Sequence, residues 1–267
     1  MRTSALPLSA AAVTLVLGLA GCAGGATSEL NAAPSSAPPA PTESGSAAAT
    51  PAPTTDAPEV QTPVECETLD LTAGTVAGSD LGPCLRAVVV RDETGTVTIS
   101  GDELAGTVDY RYTPTLEFRG DLETGAGPAS ISVVDGATLV DEGDGPIVAD
   151  LDAADPAQKE AGSTADAYRV YCDPGFIGDL VEAGKTWKVS AARQQVETPD
   201  GSVEAYRVDS EAPYSWFGIP VESYTVWVTA EGRPVATEST TAFLGRSATL
   251  SQKLSRVGEP VTISPLS

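Results

Sequence analysis

The sequence beyond residue 90 repeatedly alternates apolar and polar residues with a period of two. In "GTVDYRY", for example, Val108, Tyr110 and Tyr112 fall on one side of a strand, while Asp109 and Arg111 fall on the other. The same alternation occurs in "GTVTIS", "PTLEFRG", "TWKVSA", "SYTVWVTA" and "SATLSQKL". Because successive side chains of a strand point to opposite faces, these segments predict strands that bury one face against an apolar interior.

Short turn signals separate the predicted strands. The dipeptides Asp135-Gly136, Asp200-Gly201 and Glu231-Gly232 lie where β-hairpins are expected to close. Parallel pairing would require long crossover connections, usually helical, and the sequence lacks them between these segments. We therefore predict an antiparallel sheet.

One segment has the spacing of an amphipathic helix. In "CDPGFIGDLVEAGKTW", the residue Asp173 is suited to cap the first amides, and Gly184 is suited to end the helix. Between them, Phe176, Ile177 and Leu180 belong to an apolar stripe, which predicts that this helix lies against the sheet. Weaker helical turns are predicted at 153–162 and at 78–88, the latter interrupted by a proline at position 83.

The first residues match a bacterial lipoprotein signal. A positive charge at Arg2 is followed by the run "ALPLSAAAVTLVLGLAG", which is shorter and richer in Ala and Gly than a membrane span of ~20 strongly apolar residues. The run ends in Leu19, Ala20, Gly21 and Cys22, which fits a lipobox. In such proteins the cysteine sulfur carries a diacylglycerol, so we expect residues 1–21 to be a signal peptide and Cys22 to be lipidated. An ordinary secretory signal with a nearby cysteine is the alternative.

A linker is predicted after the lipobox. Residues 22–63 are rich in Pro, Ala, Ser and Thr and contain no aromatic residue. Such a segment buries too little apolar surface to offset its chain entropy, so we expect a disordered stalk. Residues 64–267 then form one domain, which the stalk holds at the extracytoplasmic face of the cell membrane.

Charge and composition exclude several classes of function. Asp and Glu total 37 against 15 Lys and Arg, a net charge of −22, which disfavours nucleic acid as a partner. The sequence has no histidine, so it cannot form a Ser-His-Asp triad or an imidazole metal site. The acidic segments "DEGDG" and "DLDAAD" lack the ligand spacing of an EF-hand. We expect no enzyme, no cofactor and no metal site.

Three cysteines follow Cys22. Outside the membrane they are expected to oxidise where their geometry permits. A bond between Cys66 and Cys84 would pin the end of the stalk to the domain, whereas a bond between Cys84 and Cys172 would tie the first segment to the predicted helix start. We favour the first pairing, which leaves Cys172 as a buried thiol.

The order of motifs resembles the mycobacterial LppX/LprA/LprF/LprG lipoproteins, relatives of the LolA-type carriers. The motifs are "DPGFIGDLVEAG", "GSVEAYRVD", "IPVESYTVWVTAEGRPVAT" and "LSRVGEPVTISP", and the resemblance covers residues 95–265. It implies a fold of class α+β, mainly β: a strongly curved antiparallel sheet, or half-barrel, with short helices over its concave face. That family has a long amphipathic helix before its first strand. Here the same place holds only "TLDLTAGTVAGSDLGPCLRAVVV", which predicts a smaller lid.

The resemblance also implies that acyl chains lie in an apolar cavity between sheet and helices. Apolar residues of the predicted strands and helix are then the candidates to line it: Val97, Ile99, Val108, Tyr110, Phe118, Phe176, Ile177, Leu180, Val189, Val226, Val228 and Leu250. Periodicity does not distinguish a lined cavity from a filled core, so both interpretations stay open.

Two functional hypotheses follow. The first is a lipid-anchored monomer that binds the acyl chains of a lipid or lipoglycan and carries or presents it across the envelope, with a membrane transporter as a further partner. The second is a non-enzymatic interaction or sensor lipoprotein, whose domain has a filled core and scaffolds a membrane complex.

Overall fold

The computed structural model describes residues 61–243 and 246–267. The predicted signal peptide, the lipobox with Cys22 and most of the predicted stalk lie outside the described residues, so they stay predictions. The described residues all belong to one compact unit. This unit holds the disulfide, the three helices and both hydrophobic cores described below, so residues 57–267 can fold as an independent body.

The described residues form three α-helices, fourteen strands and a 3₁₀ turn at Val64–Cys66. The helices are α1 (Gly78–Arg91), α2 (Pro156–Cys172) and α3 (Phe176–Ala183). The strands before α2 are β1 (Thr75–Ala77), β2 (Thr94–Gly101), β3 (Leu104–Arg111), β4 (Glu117–Thr124), β5 (Gly127–Val134), β6 (Ala137–Asp141) and β7 (Ile147–Val148). Those after α3 are β8 (Thr186–Val189), β9 (Gln194–Thr198), β10 (Gly201–Ser210), β11 (Tyr214–Trp216), β12 (Ile219–Val228), β13 (Pro234–Phe243) and β14 (Arg246–Ser255).

All strands pair antiparallel, in the order β1-β8-β10-β12-β13-β14-β2-β3-β4-β5-β6-β7. The strands β9 and β11 pair with β10 and β12 outside this path. The terminal strands β1 and β7 are not paired with each other among the described residues, so the sheet is open and not a closed barrel. The predicted class, mainly β with an open antiparallel sheet and a few helices, is confirmed. The three predicted turn dipeptides lie at or beside hairpin turns.

Two hydrophobic cores form on the helix-covered face of the sheet. The α1/α3 core joins Leu85 and Val181 of the helices to Trp187 and Val226 of the strands. The indole nitrogen of Trp187 donates a hydrogen bond to the carbonyl oxygen of Val181 at 3.0 Å, which satisfies the polar group of a fully buried side chain.

The α2 core lies under the other helix. It includes Val97, Tyr110, Phe118 and Ile131 from β2 to β5, with Ala165 from α2. The buried residues of α2 are small, namely Ala161, Gly162, Ala165 and Cys172. Helix α2 therefore packs on the sheet through short side chains, whereas α1 and α3 use larger ones.

Helix α1 continues through Pro83, so the predicted interruption at 83 is wrong. Leu81, Cys84 and Leu85, on both sides of the proline, are fully buried. Their burial outweighs the one backbone hydrogen bond that the proline cannot make. A helix of 14 residues thus precedes β2 in the place where only a smaller lid was expected.

The boundaries of the other two helices also differ from the prediction. Helix α3 begins at Phe176, because the Asp173 side chain accepts the amide of Gly175 at 2.9 Å and closes a turn before the helix. Helix α2 runs beyond the predicted end at Gly162. A Cβ atom on Gly162 would lie 2.7 Å from the amide nitrogen of Leu151, so close contact with the preceding loop explains this glycine.

Candidate functional site

An apolar cavity of about 280 Å³ lies between the sheet and the helices α2 and α3, in the space between the two cores. Its walls come from the ends of neighbouring strands and from the facing sides of the two helices. The main apolar contributors are Leu104, Val170, Leu180, Trp216, Val221 and Leu250. The cavity is near the lower end of the size range of ligand pockets, roughly 300–1,000 Å³.

Small and polar side chains on β13 and β14 explain why this space is not filled. Ser239, Thr241 and Ala248 line the cavity where larger apolar residues would close it. Ser239 and Thr241 lie opposite Leu250 and Ala248 in the register of the two strands. The cavity therefore results from the side-chain volumes at the centre of the sheet.

Two buried polar side chains, Thr237 and Gln252, lie between the two cores, next to the cavity. The Thr237 hydroxyl donates to Gln252 Oε1 at 3.2 Å, and Gln252 Nε2 donates to the carbonyl oxygen of Tyr171 at 3.0 Å. Thr237 and Gln252 are buried, and Tyr171 lines the cavity from the last turn of α2. These bonds fix the C-terminal end of α2 on the sheet and satisfy polar groups that would otherwise be costly to bury.

The cavity contains few groups that could perform acid-base chemistry. Glu103 is the one Asp, Glu, Lys or Arg side chain among its described lining residues, and it is exposed. The Ser239 hydroxyl donates to the carbonyl oxygen of Leu250 at 3.4 Å. An arrangement of this kind can bind an apolar group and offers no paired acid and base to it.

A hydrogen-bond network fixes the joint between α2 and α3. The Tyr112 hydroxyl donates to Asp173 Oδ1 and accepts the amide of Gly175 at 2.8 Å. Burial, and then the neighbouring Asp173 carboxylate, raise the pKa of Tyr112, so its hydroxyl keeps the proton that it donates. The two helices that cover the cavity are therefore anchored at one point to the residue that follows β3.

The twelve predicted lining residues fall into three groups. Leu180 and Leu250 line the cavity. Phe176 packs edge-on against Trp216, a lining residue, with 5.8 Å between the ring centroids. The other nine lie in the two cores: Val97, Ile99, Val108, Tyr110 and Phe118 in the α2 core, and Ile177, Val189, Val226 and Val228 in the α1/α3 core.

Several lining residues lie outside the twelve that were predicted. They include Ala167, Val170 and Tyr171 of α2, and Trp216, Ile219 and Val221 around the turn between β11 and β12. The segment "YSWFGIPV" concentrates apolar residues around a Phe-Gly turn, and this was the one local signal in the sequence for that part of the wall.

The favoured disulfide pairing is confirmed, with Cys66 bonded to Cys84. A Cβ atom on Gly232, in the turn between β12 and β13, would lie 3.0 Å from Cys84 Sγ and 3.6 Å from Cys66 Sγ. The disulfide thus fastens the N-terminal segment to α1 beside this turn. Cys172 is a free, fully buried thiol, and burial raises its pKa to about 12.

The described residues lack two further features. No cluster of three or more Cys, Asp or Glu side chains is placed to hold a metal ion in this part of the chain. Among the helices of residues 61–243 and 246–267, none has the length and apolar character needed to cross a membrane.

The protein has an open antiparallel sheet that three helices cover on one face, and an apolar pocket lies between the sheet and the helices. Comparison with protein-family models and with curated proteins returns no match. Among solved structures, the chain is similar to LprF from Mycobacterium bovis at 14% identity and a TM-score of 0.45, over 70% of this chain and 95% of that chain. LprF is one of the lipoproteins whose motifs the sequence resembles.

A second solved structure has a weaker likeness. It is an exported protein with a YmcC-like fold from Bacteroides fragilis, at 11% identity and a TM-score of 0.24, over 61% of this chain and 93% of that chain. At these TM-scores neither similarity supports an inference about the ligand or the activity of this protein. Its proposed function therefore rests on the residues of this chain.

Proposed function

We propose that this protein is a non-catalytic, lipid-anchored carrier that holds an acyl chain of a lipid in the cavity between the sheet and the helices α2 and α3. It would carry or present this lipid at the extracytoplasmic face of the membrane, with Cys22 as the anchor. The observation that carries the proposal is the cavity, whose walls are mainly apolar and which remains open between two well-packed cores.

The size of the cavity favours one acyl chain over several. At roughly 30 Å³ for a group the size of a water molecule or a methylene, about 280 Å³ accommodates about nine such groups. A ligand with several long acyl chains would require the two cores to separate. We therefore infer that a single chain, or one chain of a larger lipid, is the occupant.

The expected affinity is modest. Burial of each methylene contributes about 0.8 kcal/mol, so nine contribute about 7 kcal/mol before the costs of association are subtracted. A carrier benefits from such an affinity, because it must release its cargo as well as take it up. Polar groups of the lining, among them Glu103 and the hydroxyls of Ser239 and Thr241, are available to the polar end of the ligand.

Organic extraction of the protein from its native host, followed by mass spectrometry, tests the proposal directly. A fluorescent single-chain fatty acid, cis-parinaric acid, provides a binding assay for residues 57–267, in which a cavity of this size would hold about half of the probe's carbon chain. The variant Ala167→Trp places an indole at the exposed rim of the cavity, on α2, and is expected to weaken probe binding. The matched control is Ala183→Trp, on an exposed turn of α3 outside the lining, which is expected to bind like the wild type.

The second candidate is an interaction or sensor lipoprotein with a filled domain. It is favoured by the nine predicted lining residues that instead fill the two cores. In that case no lipid is extracted from the native protein, and the wild type binds no cis-parinaric acid. This result would overturn the carrier proposal.

A further inference from the structure

The turn between β11 and β12 has the geometry of a tight hairpin. Trp216 pairs with Ile219, so the loop contains only Phe217 and Gly218. Both loop residues have positive φ, 46° for Phe217 and 80° for Gly218. Two consecutive residues in this region form a type I′ turn, which normally carries Asn-Gly, Asp-Gly or Gly-Gly.

Phenylalanine is an unfavourable residue for the first loop position. A bulky side chain with positive φ is rare, because Cβ crowds the backbone there. Phe217 is also 82% exposed, the highest value among the exposed large hydrophobic side chains of the described residues. Its ring contacts Trp216, with 4.8 Å between the centroids, yet it stays in solvent. Neither the turn nor the core accounts for this residue.

The hairpin tip is continuous with the cavity. Trp216 and Ile219, which flank the loop on its two strands, both line the cavity. Ile219 is also 38% exposed, so apolar surface extends from the cavity wall to the Phe217 ring. A ligand that leaves the cavity on this side passes the tip.

The size and charge of this surface indicate which partner covers it. A stable protein interface buries about 800 Å² on each side, whereas one aromatic side chain offers roughly 150–250 Å². Single apolar side chains at a tip suit the acyl region of a bilayer, which adapts to any shape. The chain as a whole carries a net charge of −22, so anionic headgroups are not attracted to it.

We propose that the Phe217–Gly218 hairpin tip inserts into the acyl region of a neutral bilayer leaflet and thereby places the cavity mouth against the lipid that enters it. This inference rests on the proposed function, because it names the surface from which the cavity takes its ligand. The unfavourable residue at the turn is then explained by its contact with lipid.

Transfer of cis-parinaric acid from phosphatidylcholine vesicles to residues 57–267 tests the inference. The Phe217→Asn variant supplies the residue that a type I′ turn prefers and removes the apolar ring. Its transfer rate is expected to fall about tenfold or more, given the apolar surface of a phenylalanine. Its equilibrium binding of the probe from solution and its urea midpoint are expected to equal or exceed those of the wild type.

Two further variants complete the design. Phe217→Leu keeps an apolar tip and is expected to restore most of the transfer rate. Val64→Asn removes another exposed apolar side chain, on the 3₁₀ turn, and is expected to leave the rate unchanged.

The outcomes distinguish the two proposals. If the wild type binds no probe at equilibrium, the proposed function fails. If the wild type binds the probe and Phe217→Asn takes it from vesicles at the wild-type rate, the hairpin inference alone fails. A lower urea midpoint for Phe217→Asn, with weaker equilibrium binding, would show that Phe217 stabilises the fold by packing. This result would also overturn the hairpin inference. Faster transfer on addition of phosphatidylglycerol would contradict the neutral bilayer as the preferred surface.

Discussion

The Tyr112 hydroxyl donates a hydrogen bond to Asp173 Oδ1, joining the end of β3 to the joint between the helices α2 and α3 across 61 positions of sequence. The amide of Gly175 donates to both oxygens, at 2.8 Å to Tyr112 and 2.9 Å to Asp173. These three residues hold the joint of the helices that cover the cavity. The same helices would have to move apart if a larger ligand were to enter.

Removing this hydroxyl tests the role of the joint. The Tyr112→Phe variant is expected to lose about 2 kcal/mol of unfolding free energy, because a hydrogen bond to a charged group contributes roughly 1.5–3 kcal/mol. Urea denaturation gives the loss of stability, and hydrogen exchange at Gly175 and Phe176 reports local opening. Tyr206→Phe is the control, since that half-buried hydroxyl forms no hydrogen bond with the described residues. Unchanged exchange at the joint in Tyr112→Phe would contradict the assignment.

The crossing of α1 and α3 depends on the glycine at position 82. A Cβ atom on Gly82 would lie 2.6 Å from the carbonyl oxygen of Gly178 and 2.8 Å from the amide nitrogen of Glu182. An exposed Gly→Ala change in a helix normally stabilises a protein by roughly 0.5–1 kcal/mol, but here the two backbones would have to separate. We expect Gly82→Ala to destabilise the fold by about 1–3 kcal/mol in urea denaturation. Ser79→Ala, on the exposed side of α1, should change stability by less than about 0.5 kcal/mol.

The carboxylate of Glu117 links stability to pH. The Arg111 guanidinium donates to it, and so does the amide of Asp135 at 3.2 Å, which together lower the pKa of Glu117. A lowered pKa stabilises the folded state above the ordinary Glu value of about 4.3, and this contribution is lost as the pH falls through the folded pKa. The difference in urea midpoint between wild type and Glu117→Gln should therefore be largest near neutral pH and disappear in acid. The exposed Glu197→Gln should show no such trend, and a constant difference for Glu117→Gln would contradict the prediction.

The sequence predicted the fold better than the cavity, and β13 explains why. Strands such as β3 and β12 were predicted because their buried positions carry large apolar residues, as Val108 and Val226 do. On β13 the lining residues are Ser239 and Thr241, so this central strand lacks the apolar alternation. The polar and small residues that leave the cavity open are the same ones that hide its wall from a periodicity argument.

The sequence also did not predict which buried residues of a strand line the cavity and which lie in a core. Alternation assigns a side chain to a face but not to the centre or the end of the strand. Val226, toward the end of β12, is fully buried in a core, whereas Val221 and Ile219, at its beginning, line the cavity. The disulfide was predicted correctly because few pairings were possible. The helix boundaries were not, because packing contacts set them, as the contact of Gly162 with the preceding loop illustrates.

The length of the predicted stalk should decide which membrane the cavity mouth can reach. The disulfide lies beside the turn after β12, whereas the cavity and the Phe217 tip lie at the start of β12, nine residues or about 30 Å away. The mouth can therefore face the membrane that holds Cys22 only if the chain before Gln61 extends past the domain. A flexible chain of about 38 residues has a root-mean-square reach of about 35 Å, and one of about 18 residues reaches only about 23 Å.

We expect deletion of residues 31–50 from the full, vesicle-anchored chain to slow uptake of cis-parinaric acid from its own vesicle but not from a second vesicle population. Replacing the same residues with a Gly/Ser segment of equal length should restore uptake, because the effect depends on the length of the segment and not on its sequence. Equal slowing from both vesicle populations would show that the deletion acts on the domain and not on its reach.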